Sequence, residues 1–209
     1  MNLIKRPSFL KQFGESDIDL MLENVGYAKS LSTGILQDEN GEIIPWYCYS
    51  MVNFLKEKLG NKNIKIFEYG AGFSTIFYAK RSNFVVSSET SQECKTWTDE
   101  SLKTLDLNAK ITVEEQENFA ASIEKYGVEF DLIIVDSVAR NECVEYAVNN
   151  ISHNGVILLD NSERSGYKKS FELMRSLGYK SLTLKGLKPF STKFASSTIF
   201  YRSGSIFEI

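Results

Sequence analysis

The segment Ile64-Lys-Ile-Phe-Glu-Tyr-Gly-Ala-Gly-Phe-Ser-Thr joins a short apolar run to a helical pattern through two glycines one residue apart. Gly70 and Gly72 let the main chain bend sharply and let a ligand lie against it with no Cβ in the way. The helix beginning near Ser74 presents unpaired N–H groups at its start, which suit a ligand carboxylate. Glu89 closes the next apolar run, seventeen residues beyond Gly72, where an acid can accept hydrogen bonds from both hydroxyls of a ribose. A glycine turn occurs in many loops, and a strand-end acid also reads as a solvated loop residue. Together, after a buried strand and before a helix, the two point to a nucleotide-type ligand.

Two departures from G-x-G-x-x-G narrow the ligand. Thr75 stands where a dinucleotide site has its third glycine, and Glu68 places an acid just before the turn. An acid there repels a pyrophosphate and attracts a ligand carrying an ammonium and a sulfonium, the charges of S-adenosylmethionine (SAM). SAM is therefore the leading expectation. An NAD-type oxidoreductase is the alternative, and a noncatalytic binding module that keeps the fold is a third.

A second constellation lies at the ends of two further apolar runs. Asp136 ends LIIVD, and Asp160 with Asn161 ends VILLDN. In open α/β sheets ligands bind beyond the carboxyl ends of the strands, where these side chains converge. Two carboxylates and an amide oxygen form a hard donor set suited to Mg²⁺ or Ca²⁺. The bland alternative is turn chemistry, with the same side chains capping nearby backbone N–H groups. Asp136 or Asp160 is the candidate base for an acceptor that must lose a proton, acting directly or through a metal. Arg140 and Arg164 each follow an acid by four residues, placed either for an anionic substrate or for a buried ion pair.

These residues need a scaffold that aligns strand ends. Short apolar runs alternate with helical segments from Ile64 onward, as in a parallel sheet wrapped by helices. The expected strands are 64–69, 84–89, 110–113, 131–136, 155–160, 181–185 and 197–202, the last two pairing as an antiparallel hairpin. His153 is expected in an exposed turn before the fifth strand, without a catalytic role. The first 45 residues read as an appendage of short helices from Ser16 to about Leu31, ending in a turn at Asn40-Gly41. Pro45 is expected to open a helix whose stripe is Val52, Leu55 and Leu59 and which Gly60 stops. No linker divides the chain, so one domain spans 1–209, with 46–209 as catalytic core.

The segments EYGAGFST and Glu89 resemble the first motif and the ribose-binding acid of the class I SAM-dependent methyltransferases. From about Gly41 to Arg202 the chain resembles more closely a group of bacterial methyltransferase-like proteins with IPW-x-x-Y, E-x-G-x-G-x-S-T, VD-x-x-x-R and LDNS-x-R segments. Here these read IPWYCY, EYGAGFST, VDSVAR and LDNSER, with Ser137 where glycine is usual. The resemblance implies a Rossmann-like α/β sheet in the order 3-2-1-4-5-7-6, last strand antiparallel, with helices on both faces. It implies Gly70 and Gly72 beside the methionine part of SAM, Glu89 on the ribose, and adenine near Glu115 to Phe119. The acids and Asn161 look like the metal site of catechol-type O-methyltransferases, so Mg²⁺ at Asp136, Asp160 and Asn161 is an expectation to test. The expected cofactor contacts are Glu68, Gly70, Gly72, Ser74, Thr75, Glu89 and Asp136. Arg140, Asn161, Arg164 and Tyr49 are expected on the substrate side, although Tyr49 and Trp46 serve equally well as core aromatics. Methyl transfer to a small molecule, at oxygen, is the expected reaction.

Composition agrees with a soluble globular enzyme. Of 209 residues, 43% are hydrophobic and 24% charged, far from a disordered chain. No stretch approaches the roughly 20 apolar residues that span a bilayer, and residues 1–13 lack the apolar core of a secretory signal. A cytoplasmic protein is expected. Three widely spaced cysteines suggest neither a disulfide framework nor a zinc cluster, and a single histidine excludes metal sites built on several imidazoles. The net charge of −3 argues against nonspecific nucleic-acid binding. From Asn161 onward, however, nine Lys/Arg stand against three Asp/Glu, which suits either an anionic substrate or a solvated face.

Overall fold

The computed structural model describes residues 15–60 and 62–209, so the signal-peptide reading of residues 1–13 lies outside the described residues. The alternating runs form one seven-stranded sheet in the order β3-β2-β1-β4-β5-β7-β6. Its strands are β1 (Lys65–Tyr69), β2 (Phe84–Glu89), β3 (Lys110–Val113), β4 (Phe130–Val135), β5 (Ile151–Asp160), β6 (Lys180–Leu187) and β7 (Phe194–Tyr201). The first five pair in parallel, and β7 runs antiparallel to both β5 and β6. Order and hairpin both match the sequence-based expectation.

Side chains alternate across the sheet, so each central strand feeds two apolar layers. Ile66, Leu132, Ile134 and Leu158 pack on one face with α3 (Tyr49–Leu59) and with Phe77 and Tyr78 of α4 (Phe73–Ala79). Phe67, Ile133, Val135 and Leu159 pack on the other with Cys143 and Val144 of α6 (Arg140–Asn150) and Met174 of α7 (Lys168–Ser176). The alternation also points the Glu68 side chain toward the first layer, an acid among apolar neighbours.

Several boundaries differ from those expected. β5 begins at Ile151, so His153 is an exposed strand residue rather than a turn residue. The extra length is accommodated by a register shift against β4 between Phe130 and Leu132, and a Cβ on Gly155 would lie 2.7 Å from Ile151 Cγ1. Helix α3 begins at Tyr49, not at Pro45. Tyr47, fully buried, and Trp46, tied by its indole to the β6–β7 loop, hold the intervening residues out of a helix.

Before α3, α1 (Glu15–Asn24) and α2 (Tyr27–Thr33) lead to the expected turn at Asn40-Gly41, where Asp38 accepts from the Asn40 and Glu42 amides. Leu36 and Ile44 are buried in the first layer. Ion pairs Asp38–Lys56 and Glu42–Arg81 fasten this segment to α3 and to the end of α4. No helix among the described residues is long and apolar enough to cross a membrane. Helix α5 (Gln92–Thr104) covers β2 and β3 and is capped by Ser91, whose hydroxyl accepts from Cys94 N.

Candidate cofactor and acceptor site

The carboxyl ends of β1, β4 and β5 open onto a cavity of about 400 Å³. One wall is the glycine turn, Ala71 to Ser74; the other carries Asp136, Arg140, Asp160 and Asn161, with Trp46, Arg164 and Lys188 toward the rim. The glycine turn of the first constellation and the strand-end acids of the second thus meet in one space, whereas Glu68, Gly70, Thr75 and Glu89 do not line it.

The turn departs from regular backbone at both glycines. Gly70 has φ 111°, and a Cβ there would sit 2.9 Å from Asp136 O. Gly70 is therefore required by close packing against the end of β4. A Cβ on Gly72 would meet no atom within 4 Å, so Gly72 faces open space, the arrangement expected where a ligand lies against the main chain. Two amides of the turn are already used: Ala71 N donates to Glu89 Oε2 at 2.8 Å, and Gly72 N to Thr75 Oγ1 at 3.0 Å.

Beneath the turn lies Glu68, 1% exposed. Its Oε2 accepts from Thr75 Oγ1 at 2.6 Å and from Ser87 Oγ at 2.9 Å, while Oε1 has no partner. Burial raises this carboxyl to about 7, against the opposing influence of the nearby Ser74, Thr75 and Ser87 hydroxyls. An unpartnered buried carboxylate oxygen is stable only when it holds a proton or faces a cation.

Glu89 ends β2, as expected, and is buried. Its carboxylate also braces the site: Oε2 takes the Ala71 amide, and Oε1 takes those of Thr90 and Ser91. Glu114 N bonds to Glu89 O at 2.8 Å. This brings the short 3₁₀ turn Gln116–Asn118, where adenine was expected, next to the same acid. Phe119 is not part of an open pocket; it is fully buried against Tyr69.

On the opposite wall the structure rearranges the expected roles. Arg140 is buried with four of its five N–H donors used: Nε on Ser137 O at 2.9 Å, Nη2 on Asp136 Oδ1 at 2.7 Å, and Nη1 on both Asp160 O and Asn161 Oδ1. It is an internal clamp between β4 and β5 that also lines the cavity. The turn before it is tight at Ala139 (φ 49°), and Asn161 is also left-handed (φ 51°). The Ser137 departure from glycine creates no positive φ at that residue.

This clamp also bears on the metal. Among the described residues, no group of three or more His, Cys, Asp or Glu is placed to hold a metal ion. Asp136 Oδ1 and Asn161 Oδ1, two of the three expected ligands, instead accept from the Arg140 guanidinium. The third, Asp160, gives Oδ1 to the Ser197 hydroxyl at 2.5 Å. These residues do not fit a divalent cation while Arg140 occupies them.

Tyr49 is likewise corrected: it is buried in the first layer and forms no part of the cavity wall. Trp46, the other aromatic of that segment, is 50% exposed at the cavity. Its Nε1 donates to Pro189 O at 2.7 Å, and Lys188 Nζ lies 4.7 Å from its ring centroid. Lys188 was missed in the sequence because it sits in the β6–β7 loop, far in sequence from either motif. Its signal was the basic excess after Asn161.

The acids themselves are electrostatically crowded. Burial raises Asp136 well above the usual carboxylate range, reinforced by Asp160 and Glu68 and opposed by Arg140 and Lys188. Burial also raises Asp160, against the Ser197 hydrogen bond and the charges of Lys188 and Arg140. Cys143, fully buried, has its thiol pushed up to about 12 by burial and is no nucleophile.

Solved structures of low sequence identity share this architecture. A precorrin-6y C5,15-methyltransferase from Geobacter metallireducens superposes with a TM-score of 0.58 at 14% identity, over 70% of this chain and 85% of its own. An rRNA methylase from Streptococcus thermophilus gives 0.56 at 12% identity, over 74% and 95%. The fold is that of the Rossmann-like methyltransferases. A precorrin 8w decarboxylase from Methanobacterium thermoautotrophicum carries it too, with a TM-score of 0.57 at 17% identity over 80% and 95%. No protein-family model matches the chain, and no curated protein matches it in sequence.

Proposed function

We propose that this chain transfers a methyl group from SAM to a small-molecule acceptor, at oxygen. The observation that carries this reading is the cavity at the strand ends, which sets an open glycine turn over the unpartnered Glu68 carboxylate on one side and a strand-end acid pair on the other. Glu68 and the turn offer a cation-seeking wall, which suits an ammonium and sulfonium and opposes a pyrophosphate. Gly70, Gly72, Ser74 and Thr75 are assigned to the methionine part, Glu89 to the ribose, and Asp136 to the junction between cofactor and acceptor.

Bound there, SAM supplies an electrophilic methyl group. The chain's part is alignment and exclusion of water. Asp160 is assigned as the base that takes the acceptor's hydroxyl proton directly: its Oδ1 is held by Ser197, and its Oδ2 makes no hydrogen bond among the described residues. Lys188 and Arg164, which have no carboxylate within salt-bridge distance among the described residues, are assigned to an anionic group on the acceptor. Trp46, fixed by Pro189 O, supplies a flat wall.

Titration calorimetry with SAM and with NAD tests the cofactor, and a panel of hydroxylated and carboxylated metabolites tests turnover. SAM binding with methylation of a panel member is the expected result. NAD binding without SAM binding overturns the proposal, and SAM binding with no turnover on any acceptor indicates a binding module.

A further inference from the structure

The Arg140 guanidinium occupies the space within the donor set that the sequence marks as a cation site. It is buried, and its bonds reach the three residues of that set: Asp136 through Oδ1, Asn161 through Oδ1 and Asp160 through its carbonyl oxygen. Tyr167 closes the far side, its ring centroid 5.5 Å from Arg140 Cζ. We infer that Arg140 is the resident cation of this cluster, a positioning residue that does internally what a divalent ion would do, so that the site works without metal.

The chemistry of the two cations makes the exchange selective. A guanidinium is a fixed, planar fork of donors carrying one charge, and it satisfies carboxylate and carbonyl oxygens without the near-octahedral shell that Mg²⁺ requires. Arg140 is also covalently placed at the first residue of α6, beside the end of β4 that it neutralises. A Mg²⁺ that took Asp136 Oδ1 and Asn161 Oδ1 would leave a buried guanidinium unpaired, and one placed elsewhere in the cluster would lie beside its fixed positive charge, so either position is disfavoured.

The assignment constrains the acceptor, and this consequence alone rests on the methyltransferase reading. A metal can grip two neighbouring oxygens of one ligand at once. Arg140, with four bonds already made, cannot itself grip two such oxygens. The acceptor therefore needs no vicinal diol: one hydroxyl presented to Asp160 suffices.

The test is binding of Mn²⁺ alone, followed by electron paramagnetic resonance of the free ion, which requires neither SAM nor turnover. The wild-type protein is expected to take up no Mn²⁺ at the cluster. Arg140→Ala is expected to bind it at least about tenfold more tightly, because removal of the guanidinium leaves an unpaired acid and amide cluster. That gain should disappear again in the double variant with Asp136→Asn. Where the alanine variant loses its native circular dichroism, Arg140→Met fills the volume without charge and takes its place. Wild-type Mn²⁺ binding that Asp136→Asn abolishes overturns the inference, as does a folded Arg140 variant that gains no affinity. Failure of SAM binding would sink the methyltransferase reading and leave the Mn²⁺ result standing.

Discussion

The Glu68 carboxylate accepts a hydrogen bond from the Thr75 hydroxyl at 2.6 Å on one oxygen and has no partner on the other. Burial holds this carboxyl near 7, above its ordinary 4.5. The folded chain thus keeps a proton that the unfolded chain releases, and this group's contribution to stability is fully present below about pH 4.5 and lost as pH rises through 7. The loss amounts to about 3 kcal/mol. Urea unfolding at acid and alkaline pH should show it in the wild type and not in Glu68→Gln. A cationic cofactor reverses the preference, so calorimetry near neutral pH in buffers of different ionisation heat should report proton release on SAM binding, absent in the glutamine variant.

The two glycines of the turn should fail differently. Gly70→Ala drives a Cβ to 2.9 Å from Asp136 O at a φ of 111°, so thermal unfolding should show a loss of about 1–3 kcal/mol. Gly72→Val meets open space in the folded chain and places its branches where the cofactor is expected. Its SAM affinity should fall by far more than its stability. Equal losses of stability and affinity in both variants would show that the space beside Gly72 is not a ligand space.

Glu89→Ala should weaken SAM binding by about 1–3 kcal/mol, the scale of hydrogen bonds to a charged acceptor. The structure adds a second effect: the amides of Ala71, Thr90 and Ser91 lose their acceptor. Both Glu89 oxygens accept backbone N–H groups, so Glu89→Gln also loses half of this frame, and thermal unfolding measured beside SAM affinity separates the two effects. Unchanged SAM affinity in a folded alanine variant would remove Glu89 from the site.

The legible parts of this fold are those with local causes. LIIVD and VILLD are continuously apolar because both faces of β4 and β5 are covered, and the turn EYGAG needs glycine where Gly70 approaches Asp136. What stayed hidden depends on three-dimensional pairing. Arg140 follows Asp136 by one helical turn, which fits an ion pair and a substrate contact equally well. Only its bonds to Asp160 O and Asn161, across to β5, decide between them. Trp46 and Tyr49 are three residues apart with the same aromatic character. Their separation into cavity wall and core is set by the β6–β7 loop, through Pro189 O. The helix boundary at Tyr49 was hidden for the same reason, because Trp46 and Tyr47 are held from elsewhere in the chain.

At the cavity rim, Lys188→Ala and Arg164→Ala should raise KM for an anionic acceptor and leave kcat near the wild-type value, since these cations bind a group remote from the transferred methyl. The effect should shrink as salt is added, more for the exposed Arg164 than for the partly buried Lys188. Steady-state kinetics with a carboxylated acceptor and its neutral amide provides the measurement. Equal KM changes for both compounds would mean that neither side chain reads charge.

Asp160→Asn bears most directly on mechanism. The substitution keeps an oxygen for the Ser197 hydroxyl, which now bonds Oδ1 at 2.5 Å, and so preserves the local frame while removing the base. Turnover should fall by about 10²–10⁴, the usual contribution of a positioned base. SAM affinity should stay unchanged, because the lost interaction belongs to the acceptor's transition state. Burial raises the Asp160 carboxyl, opposed by Ser197, Lys188 and Arg140, so the ionised, proton-accepting form accumulates only above the usual carboxylate range. The wild-type rate should therefore climb with pH on its acid limb, and that limb should be missing in Asp160→Asn. A chelator should change neither profile, because Arg140 already supplies the cation at this end of β4. Retained turnover in Asp160→Asn would eliminate Asp160 as the base, and with it the claim that the strand-end acid takes the acceptor's proton directly.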